Sequence, residues 1–287
     1  MDPVPYQRGV EPSAATSGVD WTAVCRRAAE AMRDLFSEVS SSEDRTQYEG
    51  VGEGGDHALV IDRRSEDAVF AELERVAAGG HSFVAISEER GEVEFGDGGD
   101  VRVVIDPIDG SMNARRTIPS FALSFAVADG PSMADVSFGY VYDFGTGEEF
   151  LARRGEGARK DDVPISVPES DPVLEVVGIE AAKPSLTAPV AAAMENDVYR
   201  LRGIGAIAIN LAWVANGRLD GMISLRPSRS VDAAAGQLIV REAGGEVAFG
   251  DGSLDEAGLG LDERYGLIAA TTPEGLELLR RAQRAGG

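Results

Sequence analysis

Cysteine, histidine and lysine are scarce in this chain of 287 residues, which contains one Cys, two His and two Lys. A single cysteine, Cys25, excludes an intrachain disulfide framework and a zinc site built from several cysteines. Cys25 lies on the apolar face of a predicted helix, which favours a core position over a nucleophilic role. The histidines, His57 and His81, lack metal-like or triad-like partner spacing, so both are interpreted as surface or loop residues.

Long apolar runs are also missing, because no stretch approaches the roughly 18 apolar residues of a membrane span. Residues 1–18 contain no apolar segment of the kind that a secretory signal requires. Hydrophobic residues make up 43% of the chain and charged residues 26%, which is typical of a folded protein rather than a disordered one. We therefore expect a folded protein with a cytoplasmic location and no membrane partner.

Positive charge is outweighed by negative charge. The 49 Asp and Glu residues against 27 Lys and Arg residues give a net charge of −22. Such a surface repels nucleic acid and anionic lipid, so we expect no nucleic-acid partner. The excess of acid is also compatible with a salt-adapted host, which the sequence leaves open. An anionic substrate would need a local positive centre, such as a metal ion.

The spacing of apolar residues predicts a flexible arm over 1–18, an α+β half over 19–160 and an α/β half over 161–287. Helices are predicted at 20–36, 65–77, 185–195, 206–216, 231–243 and 273–284. Strands are predicted at 82–86, 101–105, 121–128, 138–142, 149–152, 174–179, 199–202, 219–225, 246–249 and 267–270. Other predicted features are a surface loop or short hairpin at 40–58, a hairpin-like turn at 92–100 and a Pro-rich link at 161–172.

Carboxylates follow or begin buried elements in three short segments. Glu88 and Glu89 come directly after the apolar run FVAI, and the segment DPIDGSMN, residues 106–113, comes directly after VRVVI. The third segment, SVDAAAG, begins an apolar helix and places Asp232 where the helix dipole favours negative groups. Strand ends and helix starts commonly carry active-site groups, so these segments are candidates for one site.

A magnesium site explains why several carboxylates would converge. Mg²⁺ prefers hard oxygen ligands, and it commonly keeps waters and phosphate oxygens. Carboxylates from separate segments repel each other unless a cation lies among them. Pro107 fixes φ and Gly110 permits unusual backbone angles, so the segment can turn tightly. Asp106 and Asp109 would then face one pocket together with the Ile108 carbonyl.

Each segment by itself also has an ordinary structural explanation. Adjacent acids such as Glu88 and Glu89 usually belong to solvated loops, and D-P-x-D-G is a common turn. Asp232 alone would be an ordinary helix cap. The combination of the three segments, in this order along the chain, is what indicates a functional site.

The same three segments resemble the motifs of the inositol monophosphatase superfamily. DPIDGSMN matches the signature D-P-[ILV]-D-G-[ST]-x-N, ISEE resembles the glutamate motif, and VDAAAGQLIVREAGGEV resembles the second signature. The motifs occur in family order and span about residues 60–250. The resemblance implies an α+β fold, the layered αβαβα sugar-phosphatase architecture. It is closest to prokaryotic members that resemble dual inositol monophosphatase and fructose-1,6-bisphosphatase enzymes.

The resemblance implies a centre that holds two or three Mg²⁺ ions. Glu88, Asp106 and the Ile108 carbonyl would hold the first ion. Asp106, Asp109 and Asp232 would hold the second, with Asp106 bridging. Water activated by the two metals would then attack the phosphorus of a phosphate ester.

Further roles follow from the same resemblance. Ser111, assisted by Asp62, would orient the attacking water, and Glu89 is a second candidate for water activation or a further metal. The backbone at Gly110 and Ser111 would contact phosphate. The sugar or inositol ring, its hydroxyls or a second phosphate would meet residues of the second half: Gly205, Ala206, Arg202, Arg226 and Arg229. Most arginines of an acidic protein form surface ion pairs, which is the alternative for these three arginines.

Three positions depart from the family pattern. Ser111 stands where Thr is common, and its hydroxyl preserves the proposed role. Val231 stands where the family usually has Trp, and Ala114 stands where an aromatic residue is common. These two changes affect packing near the site rather than metal ligation, and they weaken an assignment to the animal-type enzymes.

The sequence therefore predicts a Mg²⁺-dependent phosphatase for inositol 1-phosphate or a related sugar phosphate, with a homodimer implied by resemblance. Fructose 1,6-bisphosphate and a nucleotide 3′(2′),5′-bisphosphate are alternative substrates on the same fold. A non-catalytic binding protein is the alternative from another class, and the presence of every proposed ligand argues against it. An aspartyl-phosphate mechanism is disfavoured because its carboxylates are two residues apart, whereas Asp106 and Asp109 are three apart.

Overall fold

The computed structural model describes residues 18–39, 41, 45, 60–168, 174–181 and 183–286. The predicted arm, apart from its last residue, lies outside these ranges, as do His57 and nearly all of the predicted loop at 40–58. Within the described ranges, Cys25 is fully buried, which confirms its predicted core position.

Helices in the described ranges begin and end close to the predicted positions. The α-helices are α1 (Trp21–Glu38), α2 (Val60–Ala78), α3 (Ser111–Arg115), α4 (Pro184–Ala193), α5 (Ile207–Ala215), α6 (Ser230–Glu242) and α7 (Pro273–Gly286), with a 3₁₀ turn at Met133–Asp135. Asp20 caps α1 by accepting a hydrogen bond from the Ala23 amide at 3.1 Å. No helix in the described part of the chain is long and apolar enough to cross a membrane.

The strands form two large sheets and one small ribbon. The first eight strands are β1 (Phe83–Ser87), β2 (Gly91–Phe95), β3 (Arg102–Asp109), β4 (Ala122–Ala128), β5 (Val136–Asp143), β6 (Glu148–Arg153), β7 (Gly157–Lys160) and β8 (Val163–Ile165). They form one sheet in the order β2-β1-β3-β4-β5-β6-β7-β8. β1 and β3 are parallel, and the other neighbouring strands of this sheet are antiparallel.

The second sheet is built from the later part of the chain. The remaining strands are β9 (Leu174–Glu180), β10 (Val198–Arg202), β11 (Gly221–Ser224), β12 (Ser228–Arg229), β13 (Glu246–Phe249), β14 (Arg264–Tyr265) and β15 (Leu267–Ala270). Five of them pair in the order β10-β9-β11-β15-β13, and β12 pairs with β14 separately. The first three strands of the five are parallel, whereas β15 is antiparallel to both of its neighbours.

The two sheets and three helix pairs stack as layers. α1 and α2 pack on one face of the eight-stranded sheet, α5 and α6 lie between the sheets, and α4 and α7 cover the far face of the five-stranded sheet. The layer order is therefore αβαβα, which confirms the predicted fold class.

The alternation of side chains along β4 shows why helices cover both faces of the first sheet. Leu123, Phe125 and Val127 pack on the side of α1 and α2, whereas the alternating small alanines face α6. The small side chains allow a close approach. A Cβ at Gly139 of β5 would lie 2.6 Å from the Ala235 carbonyl oxygen of α6. This approach places the start of α6 over the middle of the sheet.

Several predicted boundaries were wrong. Residues 92–95 belong to strand β2 rather than to a turn, because every residue of β2 pairs with a residue of β1 while Glu92 and Glu94 are exposed. The predicted link at 161–172 contains β8, which is an edge strand and therefore tolerates Pro164. β7 and the short helix α3 were not predicted, since four- and five-residue elements carry too little periodicity.

An ion-pair cluster connects the first sheet to the second half of the chain. Glu148 of β6 accepts hydrogen bonds from Arg218 after α5 at 2.5 and 2.6 Å, and from Lys160 of β7 at 2.7 Å. These cations, chiefly Arg218, lower the pKa of the Glu148 carboxyl to about 2. The Glu148 side chain is 16% exposed, so solvent weakens the pairing only in part.

We expect Glu148→Gln to destabilise the fold by about 1–2 kcal/mol at pH 7. The lowered pKa contributes stability above the unfolded pKa of Glu, and this contribution is lost as pH falls toward 2. The difference from wild type in urea unfolding should therefore be smaller at pH 3 than at pH 7. Glu156→Gln, a charge-matched change at an exposed position, should show no such difference, and equal effects at both pH values would contradict the prediction.

Candidate active site

Three buried aspartates converge where β3 ends and α6 begins. Asp106 and Asp109 belong to β3, and Asp232 lies in the first turn of α6. One carboxylate oxygen from each lies within 4.8 Å of the others. Asp106 is only 2% exposed, Asp109 6% and Asp232 7%. The two halves of the chain therefore contribute to one acidic centre.

A bulge in β3 explains how two aspartates three residues apart reach the same centre. In a regular strand, side chains three residues apart point to opposite faces. Here the pairing shifts register, so that Asp106 pairs with Ser124 and Asp109 pairs with Ala122. The extra residue restores a common face. The predicted turn is thus a bulged strand that continues to Asp109, with Pro107 inside the bulge.

Backbone amides hold each aspartate in place. Asp106 Oδ1 accepts from the Ile108 amide at 2.9 Å, and Asp109 Oδ2 accepts from the Ala208 amide at 2.5 Å. Asp232 Oδ2 accepts from the Arg229 amide at 3.1 Å. The Ala208 amide belongs to the first turn of α5, so this helix start fixes one carboxylate of the centre.

The charges of the centre repel one another. Burial, followed by the charges of Glu88, Asp109 and Asp232, raises the pKa of Asp106 well above its ordinary value. Burial and Asp232 likewise raise the pKa of Asp109. A cation among these oxygens would relieve both penalties, and an all-oxygen donor set suits a hard divalent ion. The residues therefore fit the metal that the sequence motifs imply.

A small open cavity adjoins the aspartates and collects most of the other predicted residues of the first half. Its lining consists of Asp62, Glu88, Glu89, Asp106, Pro107, Ile108 and Ser111. Asp62 reaches it from the first turn of α2. Ser111 Oγ donates to the Ile108 carbonyl oxygen at 2.9 Å. The structure thus brings the predicted water-orienting residues beside the predicted metal ligands.

The turn after β1 presents Glu88 and Glu89 to this cavity. Glu66 of α2 accepts hydrogen bonds from Ser87 Oγ and from the Arg90 amide, which fixes the turn at both ends. Burial, followed by the charge of Glu88, raises the pKa of Glu89 to about 7. A group with this pKa suits proton exchange near neutral pH.

Gly110 closes the motif with a positive φ of 92°. A Cβ at this position would lie 3.0 Å from the Ser120 carbonyl oxygen and 3.1 Å from Ala206 Cβ. Gly205 and Ala206, predicted to meet the substrate ring, therefore lie directly against Gly110. Gly205 is exposed, whereas Ala206 is buried.

The three predicted arginines have different surroundings. Arg229 forms ion pairs with Glu88 and Asp232 inside the acidic centre. Arg226 is exposed and lines a separate cavity between α4 and α7, together with Leu186 and Val190. Arg202 is exposed and donates to the Leu201 carbonyl oxygen. Only Arg229 of the three is placed among the carboxylates by the contacts of the described residues.

Sequence reasoning missed three residues that support the site. Glu66 holds the glutamate turn, as described above. Glu180 of β9 accepts from the Gly205 amide at 2.9 Å and from Asn210 at 2.5 Å. Asn113 donates to the carbonyl oxygens of Ser120 and Ile204. Two of them had a usable signal: Glu66 follows Asp62 by four residues on one helix face, and Asn113 is the last residue of the DPIDGSMN signature.

Comparison with known proteins identifies the family. The model of the inositol monophosphatase family matches residues 19–286. A fructose-1,6-bisphosphatase/inositol-1-monophosphatase of Methanothermobacter thermautotrophicus is 33% identical over 260 residues, covering 87% of this chain and 91% of that protein. Nus factor SuhB of Escherichia coli is 34% identical over 230 residues, covering 77% and 82% of the two chains.

A solved structure extends the likeness to three dimensions. It is that of the MJ0109 gene product, an inositol monophosphatase–fructose 1,6-bisphosphatase, with a TM-score of 0.80 and 27% identity. The match covers 92% of this chain and all of the other. Because the family model spans nearly the entire described chain and the fold agrees, this protein belongs to the inositol monophosphatase family and is a phosphatase, a phosphoric monoester hydrolase.

Proposed function

We propose that this phosphatase hydrolyses inositol 1-phosphate or a related sugar phosphate with the help of two or three Mg²⁺ ions. The observation that carries the proposal is the buried cluster of Asp106, Asp109 and Asp232, whose oxygens lie within 4.8 Å of one another. Burying three carboxylates this closely is costly without cations. A phosphate ester substrate follows from the family.

The ligand assignments are part of this proposal. Glu88, Asp106 and the Ile108 carbonyl would hold one ion, and Asp106, Asp109 and Asp232 would hold the other. Glu89 is the candidate for a third. When bound, such ions neutralise the carboxylates, stabilise charge on phosphate oxygens and lower the pKa of a water molecule.

The residues around the cavity would position the reactants. Ser111 would supply a hydroxyl to orient the attacking water, and Asp62, which lines the same cavity, would assist it. Ser111 Oγ is held by its hydrogen bond to the Ile108 carbonyl, which limits its rotation. The backbone of Gly110 and Ser111 would contact the phosphate. Positioning of this kind supplies much of the rate in phosphoryl transfer.

The substrate's ring would lie over the second half of the chain. Gly205 and Ala206 adjoin Gly110 and therefore border the phosphate end of the site. Arg202, Arg226 and Arg229 remain proposals for hydroxyls or a second phosphate. Fructose 1,6-bisphosphate is a second candidate substrate, because the M. thermautotrophicus relative is named for both activities.

The proposed partners are a small phosphorylated substrate and a second copy of this chain, in the cytoplasm and without nucleic acid or membrane. The net charge of −22 supports the absence of polyanionic partners. Binding to RNA should be measured directly, and a gel shift at physiological salt would overturn this part. Light scattering would measure the dimer.

Chelation should remove the activity. We expect phosphate release to fall about 100-fold or more with EDTA and to recover with excess Mg²⁺, because positioned carboxylates alone repel a phosphate. The assay would compare inositol 1-phosphate, fructose 1,6-bisphosphate and adenosine 3′,5′-bisphosphate, and circular dichroism would show that the chelated protein stays folded. Full activity of folded protein in EDTA would contradict the metal proposal.

A further inference from the structure

We propose that Arg229 is a built-in competitor of the divalent cation, because its guanidinium binds the same carboxylates that would ligate the metal. This inference rests on the proposed metal site and adds to it a residue that sets its affinity. A competitor of this kind neutralises the acidic centre and must be displaced from part of it when a cation binds.

The contacts of Arg229 are those of a counterion rather than of a surface ion pair. Its Nη1 lies 2.5 Å from Glu88 Oε1, and its Nη2 lies 2.8 Å from Glu88 Oε2, so the guanidinium forks over both oxygens. Nη2 also lies 3.3 Å from Asp232 Oδ1. The three oxygens come from the turn after β1 and from the start of α6, which no other described arginine bridges.

The position of Arg229 is fixed by its backbone as well as its side chain. The Arg229 amide donates to Asp232 Oδ2 at 3.1 Å. In the short two-stranded ribbon, Arg229 of β12 also pairs with Arg264 of β14. The side chain is 31% exposed, so part of it reaches solvent. An arginine anchored in this way can retract from the carboxylates without unfolding the ribbon.

Competition follows from the number of available oxygens. A bidentate guanidinium engages both oxygens of Glu88, and a metal ion bound to Glu88 needs one of them. A positive charge at this distance also repels an incoming cation. Both effects weaken metal binding, whereas the neutralisation of Glu88 and Asp232 stabilises the chelated protein.

Two other roles for Arg229 make different predictions. An arginine that pointed away from the carboxylates and only bound substrate phosphate would leave Mg²⁺ affinity nearly unchanged when it is removed. An arginine that holds Glu88 and Asp232 in a geometry needed for the metal would weaken Mg²⁺ binding when it is removed. Competition alone makes the site bind Mg²⁺ more tightly.

The test is calorimetric titration of chelator-treated protein with MgCl₂ in the absence of substrate. We expect Arg229→Gln to lower the Kd for Mg²⁺ at least about fivefold, since charge-assisted hydrogen bonds to two carboxylates are lost. Thermal unfolding is the second readout. The variant should melt lower than wild type in EDTA and gain more from added Mg²⁺.

Arg102→Gln is the charge-matched control, because Arg102 is an arginine at the far end of β3 that donates to the Gly99 carbonyl oxygen. Its Mg²⁺ affinity should equal that of wild type. Arg229→Lys keeps the charge but loses the fork, so its Kd should fall between those of wild type and Arg229→Gln. If Arg229→Gln does not fold, the lysine variant decides the question.

An unchanged or higher Kd in the folded Arg229 variants would overturn the competition. Absence of Mg²⁺ binding in wild type and every variant would instead overturn the proposed metal site, and with it this inference. The two failures are therefore distinguishable in one set of titrations.

Discussion

Asp106→Asn is expected to lower kcat/KM for the preferred phosphate ester by about 10³-fold or more while raising the melting temperature of chelator-treated protein. Asp106 is the residue shared by both proposed metal positions. Asparagine keeps the acceptor for the Ile108 amide but removes one of the crowded negative charges. A relief of about 1 kcal/mol corresponds to about 2–4 °C for a chain of this size.

The opposite signs of the two effects make this variant informative. A variant that merely damaged the fold would lose activity and melt lower. Asp100→Asn is the matched control, because Asp100 is exposed and lies two residues before the same strand. It should change neither quantity. Retention of full activity by Asp106→Asn would exclude the aspartate cluster from the chemistry.

Gly110→Ala is expected to destabilise the fold by about 2–4 kcal/mol and to lower kcat/KM about 100-fold. Alanine is strained at a φ of 92°, and its methyl group would press on the Ser120 carbonyl and on Ala206. The backbone must then shift between the proposed metal ligand Asp109 and the hydroxyl of Ser111. Urea unfolding and steady-state kinetics measure the two effects.

Gly80→Ala separates backbone strain from close approach. Gly80 has a nearly identical φ of 91°, but nothing lies within 4 Å of its would-be Cβ. It should cost only the strain, about 1–2 kcal/mol, and leave kcat/KM unchanged. If both variants lost the same free energy of unfolding and neither lowered kcat/KM, the contact of Gly110 with Gly205 and Ala206 would not contribute to activity.

Local chemistry explains what could be predicted about the site. The DPIDGSMN segment contains two of the three aspartates, the carbonyl, the glycine and the hydroxyl within eight consecutive residues, so their closeness along the chain is visible in the sequence. Glu88 and Asp232 could be added because strand ends and helix starts are recurrent locations for such groups. The bulge that turns Asp106 and Asp109 to one side could not be predicted, since it depends on pairing with β4.

Residues that act through long-range contacts were the ones missed or left open. Glu180 binds the Gly205 amide across 25 residues, and Arg229 pairs with Glu88 across 141 residues. Neither pairing leaves a local pattern. The strand β2 was missed although its alternation of acidic and apolar residues is a local strand signal, because the glycine-rich residues after it indicated a turn.

The sequence by itself determined the family, and through that resemblance the layered fold and the candidate oxygen donors, because a short contiguous motif and the periodicity of helices and strands are local properties of the chain. Only the tertiary structure decided which carboxylates share a centre. It also decided that Arg229 faces these carboxylates and that Gly110 contacts Gly205 and Ala206. These are decided by sheet register and by the packing of α5 and α6 between the sheets. They depend on contacts between residues far apart in the chain, which local patterns do not encode.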